Sequence, residues 1–392
     1  MNYFADSLFT PFLALYLVSL GFPDTQKGFI LALVPLGSLI GNLFYSKLSD
    51  GIKRNLQLLK IMAIFQIIAL AFVGYTSNIY LIGALVLLYS LNNNPYFNIQ
   101  DATAIEYVKK EHGYFYSIRI FGTIAYIVGL LFNTVILRYI NNYSLVFLIS
   151  ASAFLIVFII LWFVHPIIEN DTKSIEESLK VSSRETSDNK KKVKDNSLTT
   201  LFKDKNFIVF LVYYLLIIGS TGVASTFLPI FYNLKGLSDS DYSMYQALQI
   251  MFEFCAFFIA RLIYKYTKSY KVLLVTSGIL YMVGFSYIFV IEDLVWLVVM
   301  TSIFRGLAAG LYFFSSIPYV SELLEPKLLT KGIIITAFFS QLLLVIANYV
   351  SPYIYNSIGF KYLYLIFVIM MFVGLIILLF TKRQDRNKKV LV

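Results

Sequence analysis

Cysteine, histidine, tryptophan and charge are all scarce in this chain. Of 392 residues one is cysteine, two are histidine and two are tryptophan. The single cysteine, Cys255, excludes a disulfide within the chain and leaves no basis for a Cys-based metal site. His112 and His165 are the only histidines, and no H-E-x-x-H, G-x-S-x-G or Walker A pattern occurs. Metalloprotease, α/β-hydrolase and ATP-driven classes are thereby set aside, and no cofactor is implied. Charged residues make up 14% of the chain, against about 25% in soluble domains.

Apolar residues fill the gap. They make up 59% of the chain, with 36 Phe and 30 Tyr, and the mean hydropathy is +0.75. Repeated apolar runs near the length of a bilayer crossing predict an all-α, multi-pass membrane protein. The first run begins at Met1 without a basic segment before it or a small-residue cleavage site after it, and reads as a membrane helix, not a signal peptide. Turn-forming or charged stretches divide the chain into twelve spans: 1–22, 27–46, 56–75, 79–107, 114–137, 143–165, 206–232, 241–264, 272–291, 294–322, 332–356 and 360–381.

The net charge is +10, and its distribution argues against a nucleic-acid partner. One set of connections carries Lys47, Lys53, Arg54, Lys60, Lys109, Lys110, Arg261, Lys265, Lys268, Lys271, Lys327 and Lys331, joined by five basic residues after Leu379. The opposite side has only Lys27, Arg138, Lys235 and Lys361. This asymmetry predicts cytoplasmic termini in a cell (inner) membrane.

Residues 167–205 form the one long polar stretch, with nine Lys/Arg and eight Asp/Glu, and read as a cytoplasmic linker. The expected organisation is a six-helix bundle over 1–166, the linker, a second six-helix bundle over 206–382 and a tail over 383–392. Pro11 to Phe22 and Pro229 to Leu237 echo each other, each running from Pro through bulky apolar residues to Gly. Duplicated bundles are a common transporter plan, with the solute site between the repeats.

Five charges lie inside spans: Asp6, Asp101, Arg119, Glu253 and Arg305. Each costs about 2.5–3.5 kcal/mol at the centre of a membrane helix, which marks a polar interior with a functional role. Asn94, Asn98 and Asp101 share a face of the fourth span, and Arg119, Thr123 and Tyr126 share one in the fifth. Asp101 lies about 12 Å and Arg119 about 10 Å from the cytoplasmic interface at 1.5 Å per residue, so the two are expected to pair. Gln246, Gln249 and Glu253 share a face in the eighth span. Arg305 in the tenth lies about 18 Å deep, which predicts a Glu253–Arg305 pair. Gln341 and Asn348 share a face in the eleventh. An ion bridge that fixes packing is the plainer reading of each pair, interhelical hydrogen bonding that of each amide, and lipid-facing or interfacial placement that of the aromatics. Asp6 has no expected partner.

Tyr45 to Asn55, YSKLSDGIKRN, resembles the cytoplasmic G-x-x-x-D-[R/K]-x-G-[R/K]-[R/K] motif of the major facilitator superfamily. The likeness gives Asp50, Lys53 and Arg54 a role in the cytoplasmic gate. Ser46 departs from the leading glycine, and Gly51 from the first basic residue. FADSLFTPFLALYLVSLGF, the Asp101-Ala-Thr-Ala segment followed by YSIRIFGTIAY, and YNSIGFKYLYL are similar to the branch containing lactose permease, nucleoside–proton symporters and phenylpropionate permease-like proteins. That resemblance implies solute contacts at Asp101 and Arg119, with Asn94, Asn98, Tyr126, Gln249 and Gln341 beside them. It implies proton coupling at Glu253, Arg305 or Asp6. Arg305 stands where the branch often has histidine; arginine does not release protons usefully, so an acid must carry them. The expected function is proton-coupled import of a small polar solute, a sugar or nucleoside, by a monomer using alternating access. Export of drugs or metabolites is the alternative, weakened by the missing Gly-Pro motif in the fifth span, and a non-transporting receptor is a further one.

Overall fold

The structure is a computed structural model describing residues 1–49, 51–110, 115–182, 201–324 and 326–380; at 105–110, 115–119, 164–182, 326–327 and 330 it describes the backbone only. The described residues are helical throughout, joined by short turns. The first span is bent. Helix α1 (Asn2–Phe9) passes through a 3₁₀ turn at Thr10–Phe12 into α2 (Leu13–Ser19). Pro11 removes one backbone donor and crowds the preceding turn, which accounts for the break. Then follow α3 (Asp24–Leu48), α4 (Gly51–Val73), α5 (Ile79–Lys110), α6 (Phe115–Tyr139) and α7 (Tyr143–Ser182).

The seventh span is also interrupted, with α8 (Lys205–Tyr214) and α9 (Ser220–Leu234) joined by a π-helical turn, Leu215–Gly219. Helices α10 (Asp239–Thr267), α11 (Tyr270–Val290), α12 (Leu294–Leu323), α13 (Pro326–Ile358) and α14 (Phe360–Leu379) complete the chain. Two of the helix starts are capped by side chains at the head of α10 and α12. Ser238 Oγ accepts from Asp241 N at 3.1 Å and Asp293 Oδ1 from Trp296 N at 2.9 Å, satisfying first-turn amides.

Twelve spans result, counting each interrupted pair as one. Ten of these spans are long and apolar enough to cross a membrane, the interrupted seventh, Lys205–Leu234, counted as one. The first span is divided into pieces of eight, three and seven residues, and α5 carries the polar run SLNNNPYFNIQDA.

The chain divides into two compact units. One comprises Met1–Tyr16 and Leu33–Lys194, the other Leu17–Ala32 and Asp195–Val392. In the first unit Tyr45, Leu59, Met62, Tyr96, Ile99 and Val157 pack together. In the second, Phe231, Phe285 and Phe367 each pack against the Tyr364 ring. The aromatic residues therefore have two destinations. Phe72, Tyr80 and Phe121 face outward, as lipid-facing side chains do, while Tyr96, Tyr213, Tyr232 and Tyr364 are among the largest fully buried side chains.

Tight helix contacts rest on glycine in both units. A Cβ at Gly41 would lie 2.0 Å from the Leu91 carbonyl oxygen, the one freed by Pro95 four residues on, so α3 meets α5 backbone to backbone. A Cβ at Gly306 would lie 2.2 Å from the Gln249 carbonyl oxygen and one at Gly310 2.3 Å from that of Glu253. Small residues four apart let membrane helices approach closely.

Candidate functional site

In the first unit the best-defined polar cluster is built on Asp6, the charge the sequence left without a partner. Its Oδ1 accepts three hydrogen bonds: from Thr10 Oγ1 at 2.6 Å, from the Tyr89 hydroxyl at 2.8 Å and from Asn93 Nδ2 at 2.9 Å. Thr10 stands one turn above Asp6 in the bent first span, and Tyr89 and Asn93 are one turn apart on α5. Each hydrogen bond to a charged group contributes about 1.5–3 kcal/mol, enough in sum to offset the cost of a half-buried carboxylate in a membrane helix. Tyr126 on α6 lies within electrostatic reach of Tyr89.

Three consecutive asparagines on α5 take three different partners. Asn92 Oδ1 accepts from the Tyr45 hydroxyl at 2.6 Å, Asn93 reaches Asp6, and Asn94 Oδ1 accepts from Asn42 Nδ2 at 3.1 Å. Each step around a helix is about 100°, so only one of the three can face Asp6. Asn98 Nδ2 donates to Asn42 Oδ1 at 2.9 Å and to Asn94 Oδ1 at 3.0 Å. Asn94 and Asn98 thus meet α3, on the same side as the Gly41 contact. Asp101 is half-buried on α5. The side chain of Arg119 lies outside the described residues, and so does the expected pair with Asp101.

Asp50 lies outside the described residues as well. Around it, Arg54 Nε donates to the Leu48 carbonyl at 2.9 Å, Ser49 Oγ donates to Asn55 Oδ1 at 2.7 Å, and Lys53 is exposed. Gly51 has φ 69°, a left-handed conformation that favours glycine. That gives the motif's departure at this position a physical reason, because a basic side chain there would be strained.

In the second unit Arg305 is 4% exposed. Its Nη2 donates to Ser225 Oγ at 3.0 Å, and the guanidinium lies 5.5 Å from the centre of the Phe285 ring, within cation–π range. Nε has no hydrogen-bond partner among the described residues. Tyr232, Tyr242, Tyr281 and Tyr364 surround the charge within electrostatic reach, and Tyr281 is within reach of Glu253 too. The Tyr232 hydroxyl, itself buried, stands against the Thr301 hydroxyl. The backbone of Glu253 lies against Gly306 and Gly310, so α10 and α12 do bring Glu253 beside the turn that carries Arg305. The guanidinium itself is held by Ser225 and Phe285.

The remaining candidates are dispersed. Gln246 bonds to Tyr242 within α10, the Gln249 side-chain oxygen is buried without a partner, and Gln341 is half-buried on α13. Asn348, on the same helix, is buried and donates to the Leu31 carbonyl at 3.3 Å. Thr10, Tyr89 and Asn93 were absent from the sequence reading. Their signal was the four-residue spacing within Asp6/Thr10 and within Tyr89/Asn93, which stacks the members of each pair on one helix face.

The fold has solved counterparts. The nucleoside transporter NupG in a point-mutant crystal structure superposes with a TM-score of 0.75 at 15% identity, covering 96% of this chain and 97% of that one. A second NupG crystal structure gives 0.72 at 15% identity, covering 96% and 95%. None of the curated proteins matches the chain. At such identity the likeness shows the fold, the two six-helix bundles of the major facilitator type. The sequence matches the MFS_1 like family over residues 2–366, and the chain therefore belongs to that family of multi-pass membrane transporters of small molecules and is not an enzyme.

Proposed function

We propose that this protein imports a small polar solute of the sugar or nucleoside class together with protons, by alternating access. The observation that carries this reading is how the bundle charges are held. Asp6 is bound by a hydroxyl, a phenol and an amide, and Arg305 by a hydroxyl and an aromatic ring. Neutral partners of this kind exchange for solute hydroxyls or for a proton more readily than a tight ion pair does. Carboxylates, amides and tyrosines together suit a solute rich in hydroxyl groups. The shared fold with a nucleoside transporter supports the nucleoside member of that class.

Within this reading Asp101, Arg119, Tyr126, Gln249 and Gln341 contact the solute, and Glu253, Arg305 and Asp6 couple its movement to protons. Asn94 and Asn98, bonded to Asn42, hold α3 to α5. Asp50, Lys53 and Arg54 serve the cytoplasmic gate. The basic asymmetry supports cytoplasmic termini in the cell membrane, with residues 167–205 as the tether between bundles and the monomer as the working unit. The test is uptake into proteoliposomes under an imposed pH gradient, with sugars and nucleosides offered in turn. Gradient-driven uptake that survives in both Glu253→Gln and Asp101→Asn would sink the assignment of those acids. Equal uptake with and without the gradient would sink proton coupling.

A further inference from the structure

Asn93 carries an unfilled position. Its Nδ2 donates to Asp6 Oδ1 at 2.9 Å, while its own Oδ1 is buried and accepts from no donor among the described residues. A buried acceptor left without a donor costs about 1–3 kcal/mol. On the other side of the contact, all three donors to Asp6 converge on Oδ1. The second carboxyl oxygen, Oδ2, has no hydrogen-bond partner among the described residues. A primary amide and a protonated carboxyl are complementary: the amide N–H donates to the carboxyl C=O, and the carboxyl O–H donates to the amide C=O. Half of that ring is already in place.

We propose that the Asp6–Asn93 pair is a proton-binding site, in which a proton taken up on Asp6 Oδ2 is donated to Asn93 Oδ1 and closes the acid–amide ring. The step is a protonation: the carboxylate goes from charge −1 to neutral, the proton comes from water, and no other bond changes. Thr10 and Tyr89 keep their bonds to Oδ1 in both states. Of the elements packed on α1, α5 presents Tyr89 and, two turns beyond Asn93, Asp101. Helix α6 presents Tyr126, near Tyr89, with the side chain of Arg119 outside the described residues. Helix α7 presents Phe147 and Ser150, which do not titrate, the latter donating to the Ala5 carbonyl at 2.7 Å. Tyr143 of α7 lies further along, against Tyr16. Asp6 is the acid hydrogen-bonded to the amide that carries the open oxygen.

This deepens the proton-coupled reading and rests on it for its purpose, but the test reads proton binding without solute. Purified full-length protein in lipid is followed by infrared difference spectroscopy as the pH is lowered stepwise from mildly alkaline to acid. A protonated-carboxyl band is expected to grow in as the pH falls. Asp6→Asn should lose it. Asn93→Leu should keep a band but move it to higher frequency, because the O–H has lost its acceptor. Asp6→Asn serves as its own folding control: it places an N–H where the acid places its O–H, and should melt at the wild-type temperature. Should Asn93→Leu fail to fold, isotope labelling of asparagine in the unsubstituted protein reads the same contact.

Persistence of the whole band in Asp6→Asn overturns the proposal, since another acid then takes the proton. Loss of the band on adding sodium chloride at fixed pH, but not choline chloride, also overturns it, in favour of a metal-cation site. A band that behaves as expected beside uptake indifferent to the gradient would leave the site standing and remove the coupling reading alone.

Discussion

The two units solve one packing problem from opposite sides. In the first, the second span supplies the small residues: Gly37 and Gly41 on α3 receive the backbone of the fourth span at Ser90 and Leu91. In the second, the tenth span supplies them: Gly306 and Gly310 on α12 receive the backbone of the eighth at Gln249 and Glu253. The second and fourth spans of the first half correspond in order to the eighth and tenth of the chain. Close approach of two helices needs the missing side chain on only one of them, so the glycines can change sides while the contact persists. The buried charges differ in another way. Asp6 has three donors on one oxygen, whereas Arg305, at 4% exposure, has one hydroxyl, one ring and an unpartnered Nε. One charge is well satisfied where it stands and the other is not.

The largest effects should come from filling the glycine contacts. Gly41→Val and Gly310→Val each force backbone apart, at about 1–3 kcal/mol or more, and are expected to lower the melting temperature of detergent-purified protein or abolish its yield. If one is tolerated and the other is not, the two contacts are not equivalent. Next in size is the contrast between the charges. Asp6→Leu strands three donors, each costing about 1–3 kcal/mol, and should destabilise strongly. Arg305→Leu removes an under-satisfied buried charge, and by analogy with apolar replacement of buried ions should be neutral or stabilising by about 1–4 kcal/mol while abolishing uptake. Equal losses of melting temperature in both variants would break the comparison.

Smaller effects separate the phenols. Tyr89→Phe removes a bond to Asp6 and should cost about 1.5–3 kcal/mol. Tyr232→Phe removes a buried hydroxyl that meets only the neutral Thr301 hydroxyl and should cost less, about 0.5–1.5 kcal/mol. Of similar size, Asn42→Ala cuts the amide bonds to Asn94 and Asn98 and should cost about 0.6 kcal/mol for each, the average for interhelical hydrogen bonds in a membrane protein. A loss of uptake far beyond that change in stability would return Asn94 and Asn98 to the solute site.

Much of the site was visible only as residue types. All five membrane charges could be picked out, because a charge inside an apolar run is a local anomaly. Their partners could not. Depth matching brought Glu253 to the turn of Arg305, yet the guanidinium's contacts are Ser225 and Phe285, which lie on other helices and carry no local mark. Asn94 and Asn98 were grouped with Asp101 by helical spacing, but spacing says which residues share a face and not what that face meets. The glycine pairs GSLIG and GLAAG were legible as small residues four apart, and their partner helices were not.

By itself the sequence determined the number of spans and the basic asymmetry between the two sets of connections, but not every span end: α7 runs on to Ser182, into residues read as linker. The bilayer explains the number of spans: its thickness sets the length of an apolar run, and its interior obliges each run to satisfy its own backbone as helix. Tertiary structure alone decided which of Asn92, Asn93 and Asn94 meets Tyr45, Asp6 or Asn42. That choice depends on the rotation of α5 about its axis, which long-range packing sets, and a turn of about 100° hands the same position to a different neighbour.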